Sequence, residues 1–190
     1  SIRTNCAVAA VVREEGQSPR LRTHQGEELR FDDIVIAAHA DQAMAMLSDI
    51  DDTELSVLGE LPYSENEVVL HTDTSLLPRK QLAWSSWNYR LRESNSQATL
   101  TYNMNILQGI NSPETFCVTL NDTDAIDPRT ILGEYRYAHP QFTIKGIAAQ
   151  QRWSEINGRR NTWFCGAYWR NGFHEDGLFS GNRVADAIIK

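Results

Sequence analysis

The chain has 190 residues, 41% of them hydrophobic and 23% charged, and a formal net charge of −7. That length admits one large domain or two small ones. No run approaches the roughly 20 apolar residues of a membrane-spanning helix, and Lys and Arg form no patch of the kind nucleic acid requires. The three cysteines, Cys6, Cys117 and Cys165, are odd in number and widely spaced, so neither a disulfide framework nor a zinc knuckle is indicated. Cys117 and Cys165 lie in apolar strand-like runs, where a reduced core thiol is expected. That usage fits a cytoplasmic location. The chain opens without Met and enters a strand pattern almost at once, which reads as a piece cut from a longer protein.

In chain order, CAVAAVVRE (Cys6–Glu14) and RLRTHQG (Arg20–Gly26) read as strands around a turn at Gly16–Pro19. The run Ile34–Ala38 has the continuous apolar character of a strand buried on both faces. A short helix capped by Asp41 follows, and a second spans Thr53–Leu61, stopped by Pro62. Four segments then alternate at period two: Glu67–Thr72, Gln81–Leu91, Ala98–Leu107 and Thr115–Asn121. In the third, Leu100, Tyr102, Met104 and Ile106 face one way, opposite Thr99, Thr101, Asn103 and Asn105. An antiparallel sheet with one covered face, the greasy one, is expected. Pro128 starts a short helix after Asp127. EYRYAHPQFT is extended, and KGIAAQQRWSEING is a helix closed by Gly158. NTWFCGAYW is a second doubly buried strand, and GFHEDGLFSGNRVADAI carries helical spacing from Leu178 onward.

The chemistry-bearing signals are sparse. No two of His24, His39, His71, His139 and His174 stand at ligand spacing, so no metal site is expected. No G-x-S-x-G elbow, P-loop or G-x-G-x-x-G turn is present. Two oddities remain. In WSSWNY, Trp84 and Trp87 fall on opposite faces of a strand, one for a core and one for a pocket beside Asn88 or Ser86. In GFHEDG, glycines and acids introduce a helix, so its N-terminus either is a plain well-capped surface end or is aimed at an electron-rich ligand.

Two stretches together carry a resemblance. FDDIVIAAHADQAMAML resembles the segment by which flavin-containing amine oxidases and phytoene-desaturase-like enzymes re-enter their cofactor domain after a three-stranded meander. TWFCGAYWRNGFHEDGLFSGNRVADAI resembles the C-terminal flavin motif of the same superfamily. AWSSWNYR and GFHEDG are similar to strings of a bacterial branch of FAD-dependent amine oxidase-like, NAD/FAD-binding proteins. The resemblance implies an α+β chain: an antiparallel substrate-domain sheet with helices, plus returning strands and the C-terminal helix of an incomplete FAD/NAD(P)-binding domain. Residues 1-40 would be the cofactor-domain meander and returning strand, 41-158 the substrate domain, and 159-190 the flavin-motif strand and helix.

It further implies an FAD-dependent oxidoreductase passing a hydride from a small-molecule substrate to flavin, inactive as this piece alone and itself free of FAD. Val8, Ala38, Gly166, Gly172, Phe173, His174, Glu175, Asp176, Gly177 and Leu178 would bind the cofactor. Trp84, Trp87 and Asn103 would meet substrate, and His174 is the one candidate for a catalytic role. The N-terminal G-x-G-x-x-G part would be the missing partner, and apolar surface left without it predicts self-association. Gly166-Ala167 departs from the Gly-Glu or Gly-Asp of many amine oxidases. The alternative is a non-catalytic binding module that uses the antiparallel sheet surface.

Overall fold

The computed structural model describes residues 1–91 and 99–189. Ala98, the first residue of one expected strand, and Lys190 lie outside the described residues. The chain divides into two compact units, Ser1–Tyr63 with Pro140–Lys190, and Ser64–His139. Residues 41–63 and 140–158, expected with the sheet, thus pack in the first unit. Among the described residues no helix is long and apolar enough to cross a membrane.

The first unit holds a meander of β1 (Val8–Val12), β2 (Arg20–Thr23) and β3 (Glu28–Arg30), paired antiparallel in that order. β4 (Ile34–Ile36) pairs in parallel with the later strand Thr162–Phe164, Ile34 opposite Thr162 and Ile36 opposite Phe164. β4 is not buried on both faces: Ile34 and Ile36 are buried while Val35 is 44% exposed. Between them come α1 (Ala40–Met46) and α2 (Asp52–Leu58). α1 starts one residue before Asp41, with His39 at its cap and the Gln42 side chain taking the His39 amide. Ala40, Ala43, Val57, Leu58, Ile156 and Phe164 are sealed in one apolar core with Trp153, Tyr168 and Val184.

A buried ion cluster fixes α2. Arg13, at the end of β1, gives Glu54 two bonds of 2.6 and 2.9 Å and reaches Asp49 through Nε at 3.0 Å. Arg160 reaches the same Glu54 at 2.8 Å and Asp51 at 3.1 Å. Asp51 also caps α2 by accepting from the Glu54 amide at 2.9 Å, and Glu54 returns the bond to the Asp51 amide. Burial works against the Arg13 charge, yet the Glu54 and Asp49 carboxylates together raise its pKa.

In the second unit five strands stand in the order β6-β7-β8-β5-β9. They are β5 (Tyr63–His71), β6 (Trp87–Arg90), β7 (Thr99–Asn103), β8 (Cys117–Leu120) and β9 (Ile131–Pro140). The register puts Trp87, Tyr102, Val118 and Leu70 in one cross-strand row, and Tyr89, Leu100, Leu120 and Val68 in another. The opposite face carries the rows Asn88–Thr101–Thr119–Val69 and Asn103–Cys117–His71.

The polar face is the covered one, contrary to the sequence reading. Thr99, Thr101, Asn103, Thr119 and His71 are all buried. Three of them bond in a chain: His71 Nε2 meets the Thr119 hydroxyl at 2.7 Å, and that hydroxyl meets Thr101 at 2.9 Å, while the Thr99 hydroxyl is buried without a partner among the described residues. His71 Nδ1 accepts from the Asp73 amide, so its proton sits on Nε2 and points at Thr119. Short turns at Thr74–Leu76 and Thr123–Ala125 bring Leu76, Ala125 and Ile126 into contact with Val69.

Further element boundaries differ from expectation. β7 stops at Asn103 because its side chain caps α3 (Met104–Gln108), accepting from the Ile106 amide at 3.2 Å. Pro128 opens only a 3-10 turn, Pro128–Thr130, after which the chain extends as β9. The helix expected over 145–158 is two, α4 (Ile144–Gln150) and α5 (Trp153–Ile156). The run from Asn161 is a short strand, β10 (Thr162–Phe164), then a 3-10 turn at Ala167–Trp169.

Two outcomes follow. Glu54→Ala removes the carboxylate that Arg13 and Arg160 share, leaving Arg13 only Asp49, and costs about 3–5 kcal/mol of stability, read by chemical denaturation; a loss within experimental error would show the cluster to be ornamental. Burial lowers the pKa of His71 from its ordinary 6.5, so the neutral ring is the folded form. Its contribution is complete above pH 6.5 and is lost as pH falls through the lowered folded-state value. Denaturation midpoints recorded across that range should therefore fall on acidification, and His71→Gln should remove this step.

Candidate functional site at the start of the C-terminal helix

β10 ends on Cys165-Gly166, and the chain turns at once through Ala167–Trp169. The turn is tied down from three sides. The Gly166 amide donates to Ser180 Oγ at 3.1 Å, Trp169 donates to the Gly166 carbonyl, and Gln150 Nε2 donates to the Tyr168 and Arg170 carbonyls at 2.8 and 2.7 Å. The backbone then reverses at Gly172, with φ +85°, and enters α6 (His174–Ile188). A Cβ at Gly172 would stand 3.2 Å from the Phe142 ring, so the position demands glycine twice over.

α6 begins four residues before Leu178, and the cause is Asp176. Its carboxylate, almost fully buried, accepts from the Asn171 amide at 3.2 Å and the Phe173 amide at 3.0 Å, with Arg170 at 3.5 Å. Asp176 therefore shapes the loop as half of a capping box. Gly177 is an ordinary helical residue, so of the two glycines only Gly172 supplies a special conformation. The first amides of a helix have no partner inside it and point out of its N-terminal end; here those are the His174 and Glu175 amides. Around them stand exposed apolar surfaces, Phe173 at 58% and Phe142 at 51%.

Of the sequence-predicted cofactor residues, Gly166 and Gly172 to Leu178 thus form one loop and helix start. Ala38 follows β4 and packs on the core of the same unit, as does Val8 on β1. The predicted substrate residues lie in the other unit. Trp84 is not in a strand but follows a 3-10 turn, Gln81–Ala83, its indole donating to the Pro78 carbonyl at 2.8 Å. Trp87 is on the open face, edge-on to Tyr102 at 5.5 Å. Asn103 is 1% exposed and spent on capping α3. Sequence reasoning missed Phe142 and Gln150, whose only trace was their place beside Pro140 and inside an amphipathic run.

Four buried or half-buried side chains are poorly placed to serve as nucleophile or acid–base group. Cys117 is buried, which pushes its thiol up to about 11, and burial raises Cys165 as well. Tyr63 is pushed up to about 12 by burial and stacks on His39 at 4.2 Å. Burial raises Tyr168 far above the ordinary phenol range.

No protein-family model matches the chain, and no curated protein matches it. Solved structures do. A protein described as a protoporphyrinogen oxidase from Exiguobacterium sp. 255-15 aligns with a TM-score of 0.67 at 14% identity, over 99% of this chain and 47% of its own. A CLA-producing fatty acid isomerase from P. acnes aligns with a TM-score of 0.60 at 14% identity, over 96% and 47%. A triple mutant of putrescine oxidase, redesigned in its cofactor binding, aligns with a TM-score of 0.62 at 11% identity, over 97% and 48%. The chain spans about half the length of each. Its fold is accordingly that of roughly half of each of these proteins.

Proposed function

We propose that the chain is part of an FAD-dependent oxidoreductase, and that the α6 N-terminus with its preceding loop meets the flavin ring. The observation that carries this reading is the open helix end itself: first-turn amides without an acceptor inside the helix, a glycine reversal at Gly172 and flanking aromatic surface at Phe142 and Phe173. Those residues suit a flat, electron-accepting ring. FAD, when bound, would supply the hydride acceptor. The His174 and Glu175 amides and the helix dipole would stabilise negative charge developing at the ring edge. Phe173 and Phe142 would exclude water from it. His174, exposed on the first turn beside the equally exposed Glu175, is the side chain we assign to approach a reacting group.

Binding the rest of the cofactor falls to the remainder of the protein. β4 and β10 make a parallel pair with Val35 uncovered, whereas parallel sheets are ordinarily buried on both faces. A further layer packed over that face is therefore part of the proposal, as is the assignment of the five-stranded unit to substrate.

The full-length gene product, purified without added cofactor, should show flavin absorption bands that bleach with dithionite. A colourless protein that also refuses FAD on titration would overturn the proposal and favour a binding module. Two glycine variants separate fold from ligand. Gly172→Ala forces a side chain into a positive-φ position and costs about 1–3 kcal/mol of stability. Gly177→Ala, in a helix with space for a methyl, should leave stability unchanged or raise it by up to about 1 kcal/mol while weakening FAD binding in titration.

A further inference from the structure

The second unit carries a groove that the flavin reading does not use. It runs between the segment Ser75–Arg79 and the edge strand β6, with a volume of about 580 Å³. Specific small-molecule sites span about 300–1,000 Å³, so the size suits one organic ligand. Leu77, Trp87 and Tyr89 give it an apolar floor, and the two aromatic side chains are 53% and 61% exposed. Arg79 and Arg90 also line it, and no acid does among the described residues, in a chain whose net charge is −7. Arg90 lies 3.6 Å from Asp122. Arg79 makes no ion pair among the described residues.

From this combination we infer that the groove binds an amphiphilic anion: an apolar body, against Trp87 and Tyr89, ending in a carboxylate at Arg79. The charge argument is one of complementarity. A guanidinium presents a planar fork that matches a carboxylate in two parallel bonds. An ammonium ligand would meet the like charge of Arg79 here, and a neutral one would leave the Arg79 fork to water. Asn88 is not available as a competing anchor, since it is already bonded to the Ser85 and Thr101 carbonyls. The Trp87 ring is held edge-on by Tyr102, which fixes the surface the apolar body would lie on. Binding here requires no flavin, so the inference stands or falls apart from the oxidoreductase reading.

The test compares dodecanoate, dodecanol and dodecylammonium, each below its micelle concentration, by calorimetry and by tryptophan fluorescence. Dodecanoate should bind at least tenfold more tightly than dodecanol, and dodecylammonium weakest. Arg79→Gln, a change at an exposed position, should bring dodecanoate down to the level of dodecanol. Trp87→Phe should remove the fluorescence response while leaving measurable heat. Equal binding of all three ligands, or Arg79→Gln without effect on dodecanoate, would overturn the inference. Tighter binding of the ammonium would overturn it as well.

Discussion

The first unit depends on one buried carboxylate. Glu54 accepts from Arg13, from Arg160 and from the Asp51 amide, and so joins three segments more than a hundred residues apart at the extremes. Desolvating a charge is expensive, and only near-complete pairing makes it tolerable. That requirement explains a local oddity. Arg160 sits at φ +49°, a conformation that non-glycine residues rarely take. Its guanidinium bonds with Glu54, Asp51 and the Asp49 carbonyl hold it there. The turn that Arg160 occupies leads directly into β10, and β10 delivers Gly166 and the loop before α6. The geometry of the helix start is therefore anchored in a salt-bridge cluster that touches none of its residues.

In the second unit a different constraint applies, the obligation to satisfy buried polar groups. Hydroxyls cost little inside a sheet when each finds a partner, and much when it does not. The chain His71–Thr119–Thr101 meets that obligation among side chains of adjacent strands. It also keeps them buried, so these side chains are not presented to a ligand at the surface. The side chains left for recognition are those of the other face and of the edge strand, where aromatics dominate.

Periodicity alone revealed most of this fold. The first two strands of the meander, the β4 and β10 strands, the cores of the alternating strands and the C-terminal helix stand where hydrophobic pattern put them, whereas β3 was implied by the family resemblance alone. What pattern cannot tell is which face of an alternating strand is covered. Thr99, Thr101 and Asn103 look solvent-facing by hydropathy, and only the cross-strand partner of each, set by register, decides otherwise. Element ends were obscured for a related reason. Asn103 and Asp176 redirect the chain by bonding backbone amides, and residues of these types are equally at home in strands, loops and helices. Phe142 beside Gly172 was out of reach, because nothing local connects two positions thirty residues apart.

The acids at the start of α6 bear on what kind of ligand it suits. Asp176 is buried with its charge spent on two amides and Arg170, and Glu175 follows at the same end. A permanent dianion such as pyrophosphate would have to displace or oppose these carboxylates within one helical turn, where like charges repel. A neutral ring that gains negative charge only on reduction faces a smaller penalty. It would still draw on the amides of His174 and Glu175, which the carboxylate does not occupy. The absence of a phosphate-type glycine turn agrees with this, since such turns let backbone amides wrap an anion, whereas Gly172 serves a single reversal. The helix start is thus suited to a developing charge rather than a standing one, which is the electrostatic demand of a flavin's redox-active edge and not of its phosphates.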